Sequence, residues 1–246
     1  MKGVYGPFRP GSEWAMGDCK IFLIEDRRGN VRYVRECGGG RFERILRGVQ
    51  SVIVHPSPPL YLPIPGLFSH IYIPISPSIY LHPGESMELM ADVIPDIAVS
   101  PEKGGLRYID IFAVSTPKMA VYGGSADGIL ARYLYKYSGG GYPRLSIPIE
   151  IVNEDDEAVT ISKVVLPVTY LDIYYKPGDN YSETNKIYVR VNAGVAEVTK
   201  GEYRGDGLEP IPKETTESLT SRLGLELASV KKFLTVEDVF LMDRGL

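Results

Sequence analysis

The sequence is poor in the side chains on which most metal sites and many catalytic sites depend. Its 246 residues include three His, two Cys, one Trp and one Gln, and Asn occurs five times. With so few His and Cys, paired zinc ligands and cysteine nucleophiles have few candidates. Scarce amides together with 19 Pro and 17 Tyr are typical of thermophilic proteins, which avoid heat-labile residues and stiffen loops with proline. We therefore expect a thermophilic source.

One long stretch of the chain lacks charge altogether. No Asp, Glu, Lys or Arg lies between Arg47 and Glu85, although these residues make up 24% of the sequence. A membrane-spanning helix needs about 20 consecutive apolar residues, but eight prolines interrupt this stretch. Because each interior proline costs a helix about 3 kcal/mol, a spanning helix is excluded here, and we expect no transmembrane segment.

Two interpretations of this charge-free stretch stay open. Ile71, Ile73 and Ile75 alternate with other residues, which predicts a strand with one buried face, and Ser76-Pro77 is expected to interrupt that strand. The stretch would then be buried sheet with proline-rich corners. Alternatively, part of it is an apolar surface that contacts another molecule. The residues expected at such an interface are Tyr61, Ile64, Leu67 and Phe68.

The charge balance is mildly acidic and uneven. The net charge of -4 argues against a general nucleic-acid binder. Residues 1–50 contain ten Lys and Arg against six Asp and Glu, a charge of +4, so the remainder carries -8. This asymmetry favours head-to-tail contacts between copies, although a solvated basic hairpin explains it equally well. Residues 1–7 lack the apolar core of a signal peptide, so we expect a cytoplasmic protein.

Residues 19–37 form the clearest local unit. Two alternating segments flank a turn at residues 26–30, whose Asp and Gly suit a three-residue hairpin loop with a bulge. Such a loop places residues whose numbers add up to 56 opposite each other, so that Cys19 faces Cys37. The Cβ atoms of a non-hydrogen-bonded pair are close, and a disulfide fits there. Intracellular bridges occur in hyperthermophiles, whereas a mesophilic cytosol would leave two free thiols, and both states stay open.

The rest of the chain favours an all-β fold, mainly antiparallel and built as one or two β-sandwiches. Alternating apolar residues predict strands at 106–114, 129–137 and 187–191. The spacing of strands and turns after residue 145 resembles an immunoglobulin-like sandwich, an analogy of fold that carries no activity.

Two further features of the sequence are a candidate domain boundary and a candidate helix. The glycines of residues 138–141 mark the best boundary, between an N-terminal sandwich region, residues 1–138, and a C-terminal region, residues 142–246, unless both form one continuous domain. Near the C-terminus, Leu219, Leu223, Leu227 and Val230 recur at helical spacing. They predict one helix at about residues 215–234.

The most distinctive segment is 117–133, Pro-Lys-Met-Ala-Val-Tyr-Gly-Gly-Ser-Ala-Asp-Gly-Ile-Leu-Ala-Arg-Tyr. It resembles the Lys-x-Ala-Leu-Tyr-Gly…Gly-x-x-x-Arg-Tyr pattern of an archaeal family known only as a domain of unknown function, number four-three-two of its series. The matching residues are Lys118, Ala120, Tyr122, Gly123, Gly128, Arg132 and Tyr133, and Val121 replaces the usual Leu. The segment Tyr5-Gly6-Pro7-Phe8 is similar to the family's Tyr-Gly-x-aromatic opening. The resemblance covers most of the chain and implies an archaeal source, but it implies no activity.

The glycine-rich loop inside this segment has two interpretations. A turn that needs positive φ explains residues 123–128, since neither a helix nor a Gly-Lys-Ser/Thr ending follows to indicate phosphate binding. Alternatively, the flanking cations indicate an anion or carboxylate site, or a sugar site that uses tyrosines such as Tyr133, Tyr135 and Tyr137 for stacking. The residues expected to bind such a ligand are Lys118, Tyr122, Gly123, Asp127, Arg132 and Tyr133.

The remaining reactive residues do not assemble into a recognisable site. His55, His70 and His82 all lie in the charge-free stretch and would bind zinc if they converged, but nothing in the sequence makes them converge. No Ser or Cys belongs to a nucleophile motif near a His. We therefore predict no metal, no cofactor and no catalytic residue.

Three functions follow in order of preference. The first is a non-enzymatic protein that acts through protein–protein contact or self-assembly as a homo-oligomer. The second is a binder of a small ligand, a sugar or an anion. The third is a metal-dependent hydrolase that uses the histidines.

Overall fold

The computed structural model of the chain describes residues 3–38, 40–59, 70–103, 108–116, 118–122, 129–203, 205–211 and 240–243, with only the backbone at 119–122, 129–130 and 240–243. Ten strands come from the first part: β1 (Gly6–Phe8), β2 (Glu13–Met16), β3 (Cys19–Glu25), β4 (Val31–Cys37), β5 (Gly40–Leu46), β6 (Val52–Ser57), β7 (His70–Leu81), β8 (Ser86–Val93), β9 (Asp96–Pro101) and β10 (Asp110–Ala113). Ten more follow: β11 (Lys118–Tyr122), β12 (Ile129–Tyr133), β13 (Arg144–Asn153), β14 (Val159–Pro167), β15 (Ile173–Tyr175), β16 (Tyr181–Thr184), β17 (Ile187–Asn192), β18 (Val195–Lys200), β19 (Glu209–Pro210) and β20 (Phe240–Asp243).

The prediction of an all-β fold rich in antiparallel pairs is confirmed. Among the described residues, the only helical element is a short 3-10 turn at Val168–Tyr170. The helix predicted at residues 215–234 lies outside the described residues.

The strands form four sheets. Two of them are antiparallel throughout: β1-β6-β9-β10 and the meander β2-β3-β4-β5. The five-stranded sheet has the order β14-β7-β12-β11-β20, in which the β7–β12 and β11–β20 pairs are parallel. The seven-stranded sheet has the order β18-β17-β13-β16-β15-β19, and β8 pairs with the other side of β13.

The β3–β4 hairpin has the predicted register, with Leu23 opposite Tyr33 and Cys19 opposite Cys37. The register follows from local turn chemistry, because the Asp26 carboxylate accepts hydrogen bonds from the backbone amides of Arg28 and Asn30 at 2.8 and 2.9 Å. The Cα atoms of the cysteine pair are 4.2 Å apart, and a disulfide joins the two side chains.

The prediction for β7 was half right. Ile71 and Ile73 are fully buried, as the alternation predicted. Ser76-Pro77 does not interrupt the strand, which continues to Leu81. The pairing with β14 shifts register between Ile161 and Lys163, so a bulge accommodates the proline-containing segment within one continuous strand.

The buried apolar side chains form one cluster that includes residues of all four sheets, among them Leu23, Val54, Ile73 and Ile149. Each fully buried side chain of this size contributes roughly 1.5–3 kcal/mol to the free energy of unfolding.

Asn153 fixes the turn between β7 and β8 against the turn between β13 and β14. Its backbone carbonyl accepts from the Gly84 amide at 2.8 Å, and its backbone amide donates to the Glu85 carbonyl at 2.9 Å. Its side-chain amide donates to the carbonyls of Leu81 and Glu157 at 3.2 and 2.8 Å. From this common end, β7 and β8 diverge into different sheets.

Candidate functional site

A cleft of 470 Å³ opens where β7 and β8 diverge. One wall is residues 73–80 of β7, the other is Met87 and residues 89–93 of β8, and Lys136 lies between them. β7 pairs with β14 on one edge and with β12 only at residues 70–72, and β8 pairs with β13, so along the cleft each strand has one edge without a described partner strand. A cleft of this size is within the range that binds small ligands or anchoring side chains.

The cleft closes at both ends through the chain itself. At one end is the turn that joins Leu81 to Ser86. At the other end the chain crosses from β7 to the end of β8, where the Leu134 amide donates to the Tyr72 carbonyl at 2.9 Å and the Tyr137 amide donates to the Asp92 carbonyl at 2.8 Å.

Large apolar side chains are exposed around this cleft. Tyr80, Met87 and Met90 are 59%, 42% and 50% exposed, and they are three of the six large apolar residues that are exposed among the described residues. Leu89 and Ile75 next to them are only partly buried. Scattered exposed apolar residues are normal, but Tyr80, Met87 and Met90 all line one cleft, and exposed apolar residues that share a cleft indicate an interaction surface.

The polar groups of the cleft are unequally satisfied. The Asp92 carboxylate accepts from Arg144 Nε at 3.0 Å and from Ser146 Oγ at 2.7 Å. Lys136 is exposed, and none of the described residues accepts a hydrogen bond or an ion pair from its ammonium group. The cleft therefore presents apolar walls with one available positive charge at the end where residues 134–137 cross from β7 to β8, which we call its closed end.

The ligand site predicted from the sequence is only partly assembled. Lys118 and Tyr133 are register partners on β11 and β12, and Tyr72 of β7 is opposite Tyr133 on the other side. The ring centroid of Tyr133 is 5.6 Å from that of Tyr72 and 5.7 Å from that of Tyr135, and Lys118 Nζ is 5.1 Å from the Tyr135 ring. These four half-buried residues share one face of the five-stranded sheet, which we call the tyrosine face.

Arg132 does not belong to the tyrosine face. Consecutive strand residues point to opposite faces, and the Arg132 side chain is buried against β9, where Nη2 is 3.3 Å from the Asp96 carboxylate. Its Nε and Nη1 atoms are buried without a hydrogen-bond partner among the described residues. The structure thus separates Arg132 from Lys118 and Tyr133.

The other predicted site residues are not described. Gly123 and Asp127 lie in the 123–128 segment, outside the described residues, and the side chain of Tyr122 is not described either. The predicted interface residues Tyr61, Ile64, Leu67 and Phe68 lie in residues 60–69, also outside the described part of the chain. Those assignments stay predictions.

The histidines have three unlike surroundings. His55 is fully buried, His70 is half-buried beside a second cleft of 240 Å³ between β14 and β17–β18, and the ring of His82 packs edge-on against Tyr80. Burial lowers the pKa of His55 to about 4 and also lowers the pKa of His70. Within the described residues, no group of three His, Cys, Asp or Glu side chains is arranged to hold a metal ion.

A scan against protein-family models matches residues 4–236 to the family described as Protein of unknown function (DUF432). The chain belongs to this family. The resemblance inferred from the 117–133 motif is therefore confirmed, whereas the archaeal and thermophilic source stays a hypothesis. Searches of curated proteins and of solved structures found no significant match to this DUF432 chain. In its described part, no helix is long and apolar enough to cross a membrane.

Sequence reasoning missed the β8 wall of the cleft in this DUF432 protein. The signal was present in Met87-Glu88-Leu89-Met90, where apolar residues occur on both faces of a predicted strand. Whether the second face is buried depends on the partner strands of β7 and β8, which are β14 and β13 and follow 52 to 97 residues later in the chain.

Proposed function

We propose that the protein acts by binding another protein through the cleft between β7 and β8. The observation that carries this proposal is the group of exposed apolar side chains, Tyr80, Met87 and Met90, at the mouth of a preformed apolar cleft. Methionine and tyrosine are enriched at protein interfaces, where flexible or amphipathic side chains adapt to a partner. Part of the charge-free stretch, residues 73–80, forms one wall of this surface.

We infer that the five- and seven-stranded sheets are the two layers of a sandwich, since β14 of one and β17 and β18 of the other line a common cleft. The binding cleft would then be the opposite lateral opening between these layers. The immunoglobulin-like topology stays a hypothesis.

The test compares Met87→Asp and Met90→Asp with Val195→Asp, which introduces a charge at a 67% exposed apolar residue away from the cleft. Light scattering over a range of concentrations and salt measures self-association, and cross-linking in extracts of the source organism measures binding of other proteins. Because central interface residues contribute about 2 kcal/mol or more, we expect both cleft variants to lose the association and the control to keep it. An association that survives both cleft substitutions would refute the proposal.

A second candidate is the binding of a small ligand, a sugar or an anion, on the tyrosine face. It is favoured by the convergence of Lys118, Tyr72, Tyr133 and Tyr135, which pairs ring faces with one cation. None of the four residues of the tyrosine face is among the described residues that line the cleft with Met87 and Met90. The two cleft substitutions should therefore leave any ligand binding on it unchanged, which separates the two candidates.

A further inference from the structure

We propose that the partner bound at this cleft is an extended peptide segment that pairs as an additional strand with the free edge of β8. The inference rests on the proposed function and specifies its partner: a segment with apolar residues at alternate positions and an acidic group at the end next to Lys136.

The hydrogen-bonding pattern of β8 leaves one edge open. Asn153 and Glu85 bond to each other through the backbone, so in the antiparallel register the odd-numbered residues of β8 continue the bonded pairs with β13. The even-numbered residues, Glu88 and Met90, therefore point their amide and carbonyl groups away from β13. Met90 is opposite Pro148, which has no amide hydrogen, and this is consistent with a non-bonded pair there.

The chain already uses the far end of this edge as a strand template. The Tyr137 amide donates to the Asp92 carbonyl at 2.8 Å, the Ile94 amide donates to the Tyr135 carbonyl at 3.2 Å, and Val93 forms an antiparallel bridge with Lys136. The chain then turns away through residues 138–141 toward β13. Beyond this point, none of the described strands pairs with the outward edge at Glu88 and Met90. An added peptide would continue a ladder that the protein itself begins.

The cleft supplies the side-chain contacts that give strand addition its specificity. Residues on one face of an added strand recur about every 6.6–6.8 Å, and Met87, Leu89 and Ile79 line the cleft beside this edge. Backbone bonds to an open edge provide affinity and alternate side chains provide selectivity in such complexes. We therefore expect apolar residues at every second position of the partner segment.

The charge at the closed end selects the acidic group. Asp92 is already satisfied by Arg144 and Ser146, whereas Lys136 is exposed and has no acceptor among the described residues. An acidic side chain near the N-terminal end of the peptide would complement this cation, because a peptide that continues the antiparallel ladder begins at this end of β8. At the same end, residues 135–137 already occupy the edge of β8. A bound peptide cannot extend past them, so the charge of Lys136 also defines where the peptide begins.

The decisive substitution is Met90→Pro. A proline there removes only the outward amide and blocks the open edge with its ring, while the bonded pairs of Leu89 and Ala91 with β13 keep their donors. Met90→Leu is the matched control, because it keeps both the amide and the apolar side chain. Circular dichroism and thermal unfolding verify that each variant is folded.

The probe is a set of octapeptides selected from a fully random displayed library against the wild-type protein. Fluorescence anisotropy then gives the dissociation constant for each variant. We expect the selected peptides to alternate apolar residues and to carry one acidic end. Loss of one backbone hydrogen bond should weaken binding by about tenfold for Met90→Pro. Met90→Leu should bind normally, and Lys136→Glu should weaken only peptides with the acidic end.

N-methylation of alternate peptide amides provides the same test if Met90→Pro fails to fold. Failure to select any peptide would overturn strand addition. It would also be overturned if Met90→Pro and the wild type bound the selected peptides equally, or if the wild type bound methylated and unmethylated peptides equally. If Met90→Asp still abolished protein binding in that case, the proposed function would stand and only its strand mechanism would fail. A small amphiphile that binds Met90→Pro normally, or a self-association unaffected by it, would likewise overturn the inference.

Discussion

His55 shows how the surroundings of one residue decide its chemistry. Its Nδ1 is 2.9 Å from the Pro56 carbonyl and its Nε2 is 3.4 Å from Ser100 Oγ, and the rings of Tyr108 and Tyr175 lie nearby. These groups surround a fully buried imidazole, and burial favours its neutral form. The residue is therefore a satisfied core histidine, and its role is in stability.

We expect this histidine to make the protein less stable in mild acid. Burial lowers the pKa of His55 from 6.5 to about 4, so the unfolded chain binds the proton more readily than the folded one. The stabilisation is complete above pH 6.5 and is lost as the pH falls toward 4, by about 3 kcal/mol in total. The half-buried His70 adds a contribution of the same sign.

Urea unfolding at several pH values between 4 and 7 measures this dependence. His55→Gln should flatten the profile, whereas His82→Gln, at an exposed position, should leave it unchanged. A profile that is as steep in His55→Gln as in the wild type would show that other groups cause it.

Arg132 shows what a single residue's sequence context cannot reveal. Because Arg132 and Lys118 flank the glycine-rich loop, the sequence predicted an anion site there, but the Arg132 side chain pairs with Asp96, which is 36 residues earlier in the chain. That pairing depends on how two sheets pack, and no local pattern encodes it. Tyr133 and Lys118, in contrast, lie together because they are neighbours in one short hairpin pair.

At the scale of elements, local turn chemistry was the most predictable feature. The register of the β3–β4 hairpin was predicted correctly because Asp26 and Gly29 determine the loop, and the loop determines every pair that follows. The continuity of β7 was not predictable, because a bulge in its pairing with β14 accommodates Ser76-Pro77. The sequence of β7 predicts where that strand alone would break, but it does not reveal that the pairing with β14 accommodates the break.

The disulfide of this hairpin should stabilise the fold measurably. Cys19 and Cys37 are 18 residues apart, and closing a loop of this length contributes about 3 kcal/mol on the chain-entropy model. We expect Cys19→Ser/Cys37→Ser to lower the free energy of unfolding by about this amount, and reductant to lower that of the wild type equally. Denaturant titration measures both. Two alkylated thiols in the mass spectrum of unreduced protein would contradict the bridge.

At the scale of the whole molecule, contacts join the two regions predicted from the sequence. The pairs β7–β14 and β8–β13 each connect one region to the other. Near the N-terminus, the Tyr5 amide donates to the Asp179 carbonyl at 3.1 Å, and the Val4 amide donates to Asn180 Oδ1 at 2.7 Å. With so many pairs across the glycines of residues 138–141, we propose that the chain is one continuous domain and that these glycines only redirect it.

A single domain unfolds as one cooperative unit, and Trp14 allows a direct test. It is the only tryptophan and it is buried in the N-terminal region, stacked on Phe8, so its fluorescence reports that region alone. Ile187 is fully buried in β17 of the C-terminal region, and Ile187→Ala should cost about 2–5 kcal/mol. In one domain, the Trp14 transition shifts by that full amount and coincides with the circular dichroism transition, as it also should for Ile21→Ala in β3. In two independent domains, the Trp14 transition of Ile187→Ala would remain at its wild-type midpoint, and the glycine boundary would then be a true domain border.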